Sequence, residues 1–340
     1  MTEPYFDSAL DALLSTYGMA LPDVTDTEAL TGYTLSDALG ALWNTVLAEA
    51  ASPLHLLGML LGVILLSALA GSLRSERTAP VYDTVCVLCA SGIAAQPVTE
   101  GILRAGDTLA AAADFLLAFS GILGGVLAAG GGITAAAVWQ AGMAGICELF
   151  MQVSAQMIFP VLGMLLAMSI VDAVNPMISL SGIISLFHKA VCWVLGLMMA
   201  GFIGMLSVQS TVAAAADRAG TKAAKFVISG AVPVIGGAVS DAYTAVLGSM
   251  GIVRAGVGMT GILALLALLL PVVVRLGLLR GVLAAASAGA SLFDVPQLSR
   301  LLGNMEKTAA AGFSAAVGFS VMCVFSVAVI LLIGGMTGGG

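Results

Sequence analysis

Charged side chains are scarce in this sequence. Only 9% of its 340 residues are Asp, Glu, Lys or Arg, whereas apolar types make up 60% and the mean hydropathy is +1.09. Soluble domains carry roughly 25% charged residues, so this chain lacks the polar shell of a soluble protein. Charge is absent from six stretches, at 50–73, 115–147, 149–171, 190–216, 255–274 and 308–340. A helix needs about 20 apolar residues to cross a bilayer, and every stretch reaches or exceeds that length.

The apolar stretches also lack the strict alternation of an outer-membrane barrel strand. Backbone groups in lipid must be satisfied within the protein, which favours helices. The predicted fold class is therefore all-α, a polytopic helical membrane bundle. We expect seven to nine membrane helices, at 53–73, 81–98, 109–129, 135–157, 160–174, 190–208, 259–274 and 312–333, with ambiguous regions at 226–250 and 281–293. The segment around Glu100, Arg104 and Asp107, between the second and third of these helices, is expected to be a loop outside the membrane.

Residues that serve in catalysis and metal binding are few. Cys86 and Cys89 form a CxxC, but it lies in an apolar segment without a second pair at zinc spacing. The two histidines, His55 and His188, lie near no acid cluster. The serine hydrolase, zinc protease and phosphate-loop motifs are also missing. We therefore expect no enzyme activity, cofactor, metal site or nucleic-acid partner.

Basic residues are absent from the first 52 residues, which hold eight acids and so account for the whole net charge of −7. Two amphipathic helices are predicted in this segment, with apolar faces formed by Phe6, Leu10, Leu13 and Tyr17, and by Leu35, Leu39, Leu42, Trp43 and Val46. We interpret residues 1–52 as an acidic cap on the membrane surface, or alternatively as a docking site for a partner domain. Residues 53–340 form the predicted membrane domain.

Charge around the first apolar stretch predicts its orientation. Acids precede it and Arg74 and Arg77 follow it, so we expect the N-terminus outside and the 74–80 loop in the cytoplasm. The basic residues Arg218, Lys222 and Lys225 are also expected in a cytoplasmic loop. Both placements together require one of the two helices around Pro160 to be interfacial or re-entrant.

A few polar residues lie inside apolar sequence, where ionisable groups are costly and usually face the bundle interior or water. We predict that a pathway or the bundle interior is lined by Asp172, Asn175, Asp241 and Glu148. The alternative is that the acids lie at the interface and cap helices. Broken or re-entrant helices are predicted at Pro160, Pro233, Gly236 and Gly237. A faint repeat, FPVLG at 159–163 and VPVIG at 232–236, each followed by an Asp-Ala pair, would suit a transporter fold.

The segment TKAAKFVIS at 221–229, followed by VPVIGG at 232–237 and SDA at 240–242, resembles the stage III sporulation protein AE family. The similarity extends from about residue 53 to the end and includes the glycine-rich break near Gly131. The resemblance implies a multi-pass protein of the mother-cell membrane around the forespore in endospore-forming Firmicutes. It also implies a complex with the other stage III sporulation A-operon proteins, one of them an ATPase, and with a forespore membrane partner.

Two functions remain open at this point. The resemblance implies a channel or scaffold subunit of the mother-cell sporulation complex, a secretion-like conduit that links mother cell and forespore during engulfment. As partners we expect membrane lipid, the proteins of the complex and further copies of this chain. The alternative is a stand-alone, permease-like solute transporter in which Asp172, Asp241 and the Pro/Gly breaks form the binding site.

Overall fold

A computed structural model describes residues 11–16, 35–73, 79–129, 133–174, 180–231 and 236–337. These residues are almost entirely helical and include no strand, which confirms the all-α class. A helical segment at 11–16 precedes seven longer α-helices, which are α1 (Leu35–Leu73), α2 (Ala79–Ala129), α3 (Ile133–Val153), α4 (Phe159–Val174), α5 (Ser181–Ala231), α6 (Gly236–Leu292) and α7 (Pro296–Thr337). A π-helical turn, Ser154–Ile158, joins α3 to α4.

Six helical stretches within the described residues are long and apolar enough to cross a membrane. They are Leu47–Leu69, Thr84–Ala129, Ala136–Val174, Ser181–Val208, Gly256–Leu292 and Pro296–Val329. The number is below the expected seven to nine because the structure joins stretches that the sequence separates. The longest, at 46 residues, is about 69 Å long at 1.5 Å per residue, well over the ~30 Å of a hydrocarbon core.

The polar segment around Glu100, Arg104 and Asp107 is helix rather than the expected loop. It lies in the middle of α2, which joins the predicted spans 81–98 and 109–129. The side chain of Gln96 donates a hydrogen bond to Glu100 at 3.0 Å, and Arg104 lies 4.0 Å from the same carboxylate. Both contacts have the i, i+4 spacing that supports a helix. The polar side chains therefore make this part of the α2 surface charged, and the backbone remains helical.

Pro160 does not split its apolar region into two helices. Proline has no N–H to donate and its ring clashes with the carbonyl four residues earlier, so it normally kinks or ends a helix. Here the preceding turn is wider, and the N–H of Phe159 bonds to the carbonyl of Ser154, five residues back. The residues flanking the turn keep helical φ and ψ angles. One continuous helix therefore runs from Ile133 to Val174.

The predicted boundary at residue 52 falls inside α1, which runs through it without a break. The second of the predicted amphipathic helices is thus the first part of α1. Of the first predicted helix, the structure describes residues 11–16, where Leu14 is buried against the bundle and Leu13 packs beside it.

Two large apolar cores lie one after the other along the helices, and we name them the upper and the lower core. The upper core contains Phe115, Phe119 and Phe150, and the lower core contains Leu60 and Leu162. The upper and lower ends of the bundle are the ends nearest to these cores. On α2 the lower-core residues end at Ile102 and the upper-core residues begin at Leu109, and every helix from α5 to α7 also contributes to both cores. Each of these helices therefore passes through both layers.

Helix α6 approaches its neighbours closely in the upper core. A Cβ atom at Gly261 would overlap the buried ring of Phe119 on α2, and one at Gly258 would overlap Leu331 on α7. Gly281, further along α6, would meet nothing within 4 Å. A side chain at either of the first two positions would therefore force a neighbour to move, whereas one at Gly281 would not.

The order of the two cores along the helices gives the topology. The start of α1, the end of α2, the start of α3, the end of α5, the start of α6 and the end of α7 lie at the upper end. The end of α1, the start of α2, the end of α4, the start of α5, the end of α6 and the start of α7 lie at the lower end. If each candidate span crosses once, the N-terminal segment and the 218–225 region share one side of the membrane. The two predictions that place the first outside and the second in the cytoplasm therefore exclude each other.

Candidate functional site

Asp172 lies at the end of α4 and is buried, with 4% of its surface exposed. Its Oδ1 accepts a hydrogen bond from the backbone N–H of Leu180 at 2.6 Å, and its Oδ2 accepts a longer one from the Asn304 side-chain amide at 3.5 Å. The carbonyl of Leu180 accepts from the N–H of Ile184, so Leu180 lies directly before the first residue of α5. One carboxylate thus joins the end of α4, the start of α5 and the side of α7.

The surroundings of Asp172 account for its burial. Carboxylates are stabilised at helix N-termini, where the first N–H groups have no partner within the helix, and Asp172 occupies that position for α5. Neighbouring buried hydroxyls donate to their own helices, Ser169 to the Leu165 carbonyl and Thr308 to the Asn304 carbonyl. These two described hydroxyls are therefore satisfied by the backbone of their own helices.

The other residues singled out by the sequence do not gather around Asp172 in the part of the chain that the structure describes. Glu148 is exposed on α3. Asn175 and Pro233 lie outside the described residues. Asp241, Gly236 and Gly237 lie in the first two turns of α6, and Arg218, Lys222 and Lys225 lie within α5 rather than in a loop; for Asp241 and the three basic residues only the backbone is described.

A second polar group of residues, which the sequence did not single out, forms a charged crevice between α1, α2 and α6. Its volume is about 250 Å³, and its charged lining consists of Glu49, Arg104, Asp107 and Arg275. The guanidinium of Arg275, with 17% of its side chain exposed, lies 3.9 Å from the Glu49 carboxylate and 4.0 Å from that of Glu100. These separations exceed hydrogen-bond length, so the charges neutralise one another without tight pairing.

The charged crevice lies near the middle of two candidate spans, those in α2 and α6. Sequence reasoning assigned the α2 charges to a loop and did not pair them with Arg275, which is 171 residues from Arg104. One signal was available, because Gln96, Glu100 and Arg104 repeat at the four-residue spacing of a helix face.

Possible metal ligands do not cluster in this part of the molecule. Among the described residues no three His, Cys, Asp or Glu side chains are close enough to hold a metal ion. Asp172 and its partners form hydrogen bonds, and the charged crevice presents groups of opposite charge.

Comparison with known proteins adds the family. The sequence model described as stage III sporulation protein AE matches residues 26–334, which is nearly the whole chain. The chain belongs to the stage III sporulation protein AE family. No curated protein and no solved structure matches it. Family membership, together with six apolar helical stretches among the described residues, makes this a stage III sporulation protein that is embedded in a membrane by several spans.

The family match reaches back to residue 26, beyond the similarity seen from about residue 53 onwards. It therefore includes all of α1 and the last part of the acidic N-terminal segment. It also spans Asp172, Asn304 and the whole charged crevice, so both polar sites lie within the matched part of the chain.

Proposed function

We propose that this protein is a channel or scaffold subunit of a sporulation complex in the mother-cell membrane, where it assembles with the other stage III sporulation A-operon proteins and a forespore membrane partner. Further copies of the chain would complete the assembly. The observation that carries the proposal, beyond family membership, is the bonding of Asp172. The most buried acid among the described side chains holds three helices together, which suits a rigid membrane framework better than a substrate site.

The burial of Asp172 bears directly on the transporter alternative. A substrate-binding carboxylate needs an oxygen that is open to a cavity or to water, whereas both oxygens of Asp172 accept hydrogen bonds from the protein. Because both oxygens of Asp172 are bonded within the protein, this site favours a structural subunit over a transporter.

A stand-alone solute transporter is the second candidate, and the charged crevice is the observation that favours it. Charged groups within apolar spans often mark substrate or ion pathways. If this protein transports a solute, Arg275, Arg104, Glu49 and Asp107 are the residues that would meet it.

The two functions are separated by one pair of experiments on the full-length protein. Affinity-tagged protein is isolated from sporulating cells in mild detergent, and its partners are identified by mass spectrometry. The same protein is purified alone, reconstituted in liposomes and tested for uptake of a mixture of radiolabelled amino acids. Amino acids are chosen because they carry one positive and one negative charge, and the lining of the crevice offers partners for both. We expect co-isolation of the operon proteins and no saturable uptake.

The control for uptake is Arg275→Gln, which removes one cation from the crevice lining. Saturable uptake by the purified wild-type protein, together with its loss in Arg275→Gln, would overturn the subunit proposal. Isolation without any of the operon proteins would also contradict it.

A further inference from the structure

The charged crevice has a balanced lining. Two carboxylates, Glu49 and Asp107, face two guanidinium groups, Arg104 and Arg275. Asp107 is exposed and forms no ion pair with any described residue, and Arg104 has 60% of its side chain exposed and lies only at the 4.0 Å limit from Glu100. A cation and an anion are therefore both available to a ligand that carries both charges.

The crevice also has an apolar wall. Pro271, Val272 and Leu276 of α6 complete its lining. On the outer surface, Leu47 and Leu103 lie two residues from Glu49 and one residue from Arg104, and both are more than half exposed. Charge and exposed hydrocarbon therefore meet at the same level of the bundle.

This level also marks a change in the surface of the helices. Towards the lower end, where the α1 candidate span Leu47–Leu69 lies, α1 carries no charge between residues 50 and 73, and α2 carries none between residues 84 and 99. A lipid whose headgroup lies in the crevice would find apolar helix faces beside its acyl chains. Since the candidate spans are longer than a bilayer is thick, a headgroup level partway along them is physically reasonable.

We propose that the crevice binds the headgroup of a zwitterionic phospholipid, phosphatidylethanolamine. The phosphate lies between Arg104 and Arg275, and the ammonium lies against Asp107 and Glu49. Arginine is well suited to phosphate because its planar donors match the phosphate oxygens, and carboxylates are the natural partners of an ammonium group. A volume of about 250 Å³ is below the usual range for drug-sized ligands, which fits a headgroup with its chains outside.

Charge balance selects the zwitterion. An anionic headgroup would meet two carboxylates in addition to Glu100 beside them, and a lone cation would meet two guanidinium groups. Only a ligand with both charges pairs with all four lining groups.

The test measures lipid retained by the full-length protein. Protein reconstituted in nanodiscs of equal parts phosphatidylethanolamine and phosphatidylglycerol is extracted in mild detergent, and the bound lipids are counted by mass spectrometry. We expect enrichment of phosphatidylethanolamine in the wild type. In Asp107→Asn and Arg275→Gln the enrichment should fall roughly tenfold, the change expected for one charge-assisted hydrogen bond.

The matched control is Arg280→Gln. Arg280 lies on the same helix, is half exposed and pairs with Glu306 on α7 at 2.9 Å, outside the crevice. The enrichment of phosphatidylethanolamine in Arg280→Gln should equal that in the wild type. Asp107→Asn removes no ion pair with a described residue, so it decides the question if a thermal melt shows that Arg275→Gln is unfolded.

Competition separates a lipid from a soluble zwitterion. A short-chain phosphatidylethanolamine should displace the bound lipid, whereas free phosphoethanolamine at the same concentration should not. Equal displacement by both would overturn the lipid assignment and support a soluble ligand. Absence of enrichment in the wild type, unchanged enrichment in Asp107→Asn, or an equal loss in Arg280→Gln would overturn the site.

Discussion

Replacement of Asp172 by alanine should destabilise the bundle, because it removes the acceptor for two hydrogen bonds. The Leu180 N–H, now bonded at 2.6 Å, and the Asn304 amide, bonded at 3.5 Å, would both lose their partner. A buried group left unsatisfied costs about 1–3 kcal/mol, and the longer bond belongs at the low end of that range. We expect a loss of about 2–4 kcal/mol. At about 2 °C per kcal/mol for a large chain, the Tm should fall by about 4–8 °C.

Asp172→Asn is the matched control, since asparagine keeps both contacts. Its oxygen can accept from Leu180, and its amide can donate to the Asn304 oxygen once the Asn304 amide is flipped. Only the attraction between the carboxylate and the N-terminus of α5 is lost, about 0.3–1 kcal/mol, or about 2 °C or less. Thermal unfolding of both variants in one detergent, followed by fluorescence-detected size exclusion, measures the difference. An equal fall in both variants would refute the hydrogen-bond explanation and assign the effect to the charge.

Two glycine-to-alanine substitutions on α6 should differ in their effect on stability. Gly261→Ala places a methyl group against the buried Phe119 ring and should cost about 1–3 kcal/mol through overpacking, measured by the same melt. Gly281→Ala meets open space and should be neutral or stabilising by about 0.5–1 kcal/mol, because alanine favours the helix. A Gly261→Ala variant as stable as Gly281→Ala would contradict the close approach of α6 to α2.

The sequence was sufficient to predict the fold class, since scarcity of charge and long apolar stretches depend on composition alone. The number of helices was harder to predict. Charged residues such as Glu100 and Arg104 were expected in a loop, because charge usually indicates exposure outside the membrane. Their i, i+4 contacts instead support a continuous α2. Pro160 predicts a break in the helix, because proline normally ends or kinks one. Only the geometry of the preceding π-helical turn shows how the helix continues past it.

The candidate sites were also only partly predictable from the sequence. Asp172 was predicted because an acid in apolar sequence is conspicuous, but its partner Asn304 is 132 residues away and no pattern connects the two. The charged crevice depends on the packing of α1 and α2 against α6, which brings Glu49 and Glu100 to Arg275. Contacts of this kind follow from tertiary packing and cannot be obtained from local spacing.

The topology determines which parts of the molecule can meet partners on each side of the membrane. The start of α1, residues 218–225 of α5 and the end of α7 all lie towards one end of the bundle if the six spans each cross once. A domain that binds this end would therefore meet acidic and basic segments together. This arrangement follows from two structural features together, the continuous helix α2 and the continuous helix from Ile133 to Val174.

Site-directed labelling tests the six-span topology most directly. Single cysteines are introduced at Ile133, Lys222, Phe293 and Met336 of a cysteine-free variant, and intact cells are treated with a membrane-impermeant maleimide. The topology predicts that positions 133, 222 and 336 react alike and that position 293 reacts in the opposite way. Labelling of positions 133 and 293 from the same side, or of position 222 together with position 293, would contradict the single crossing of each helix.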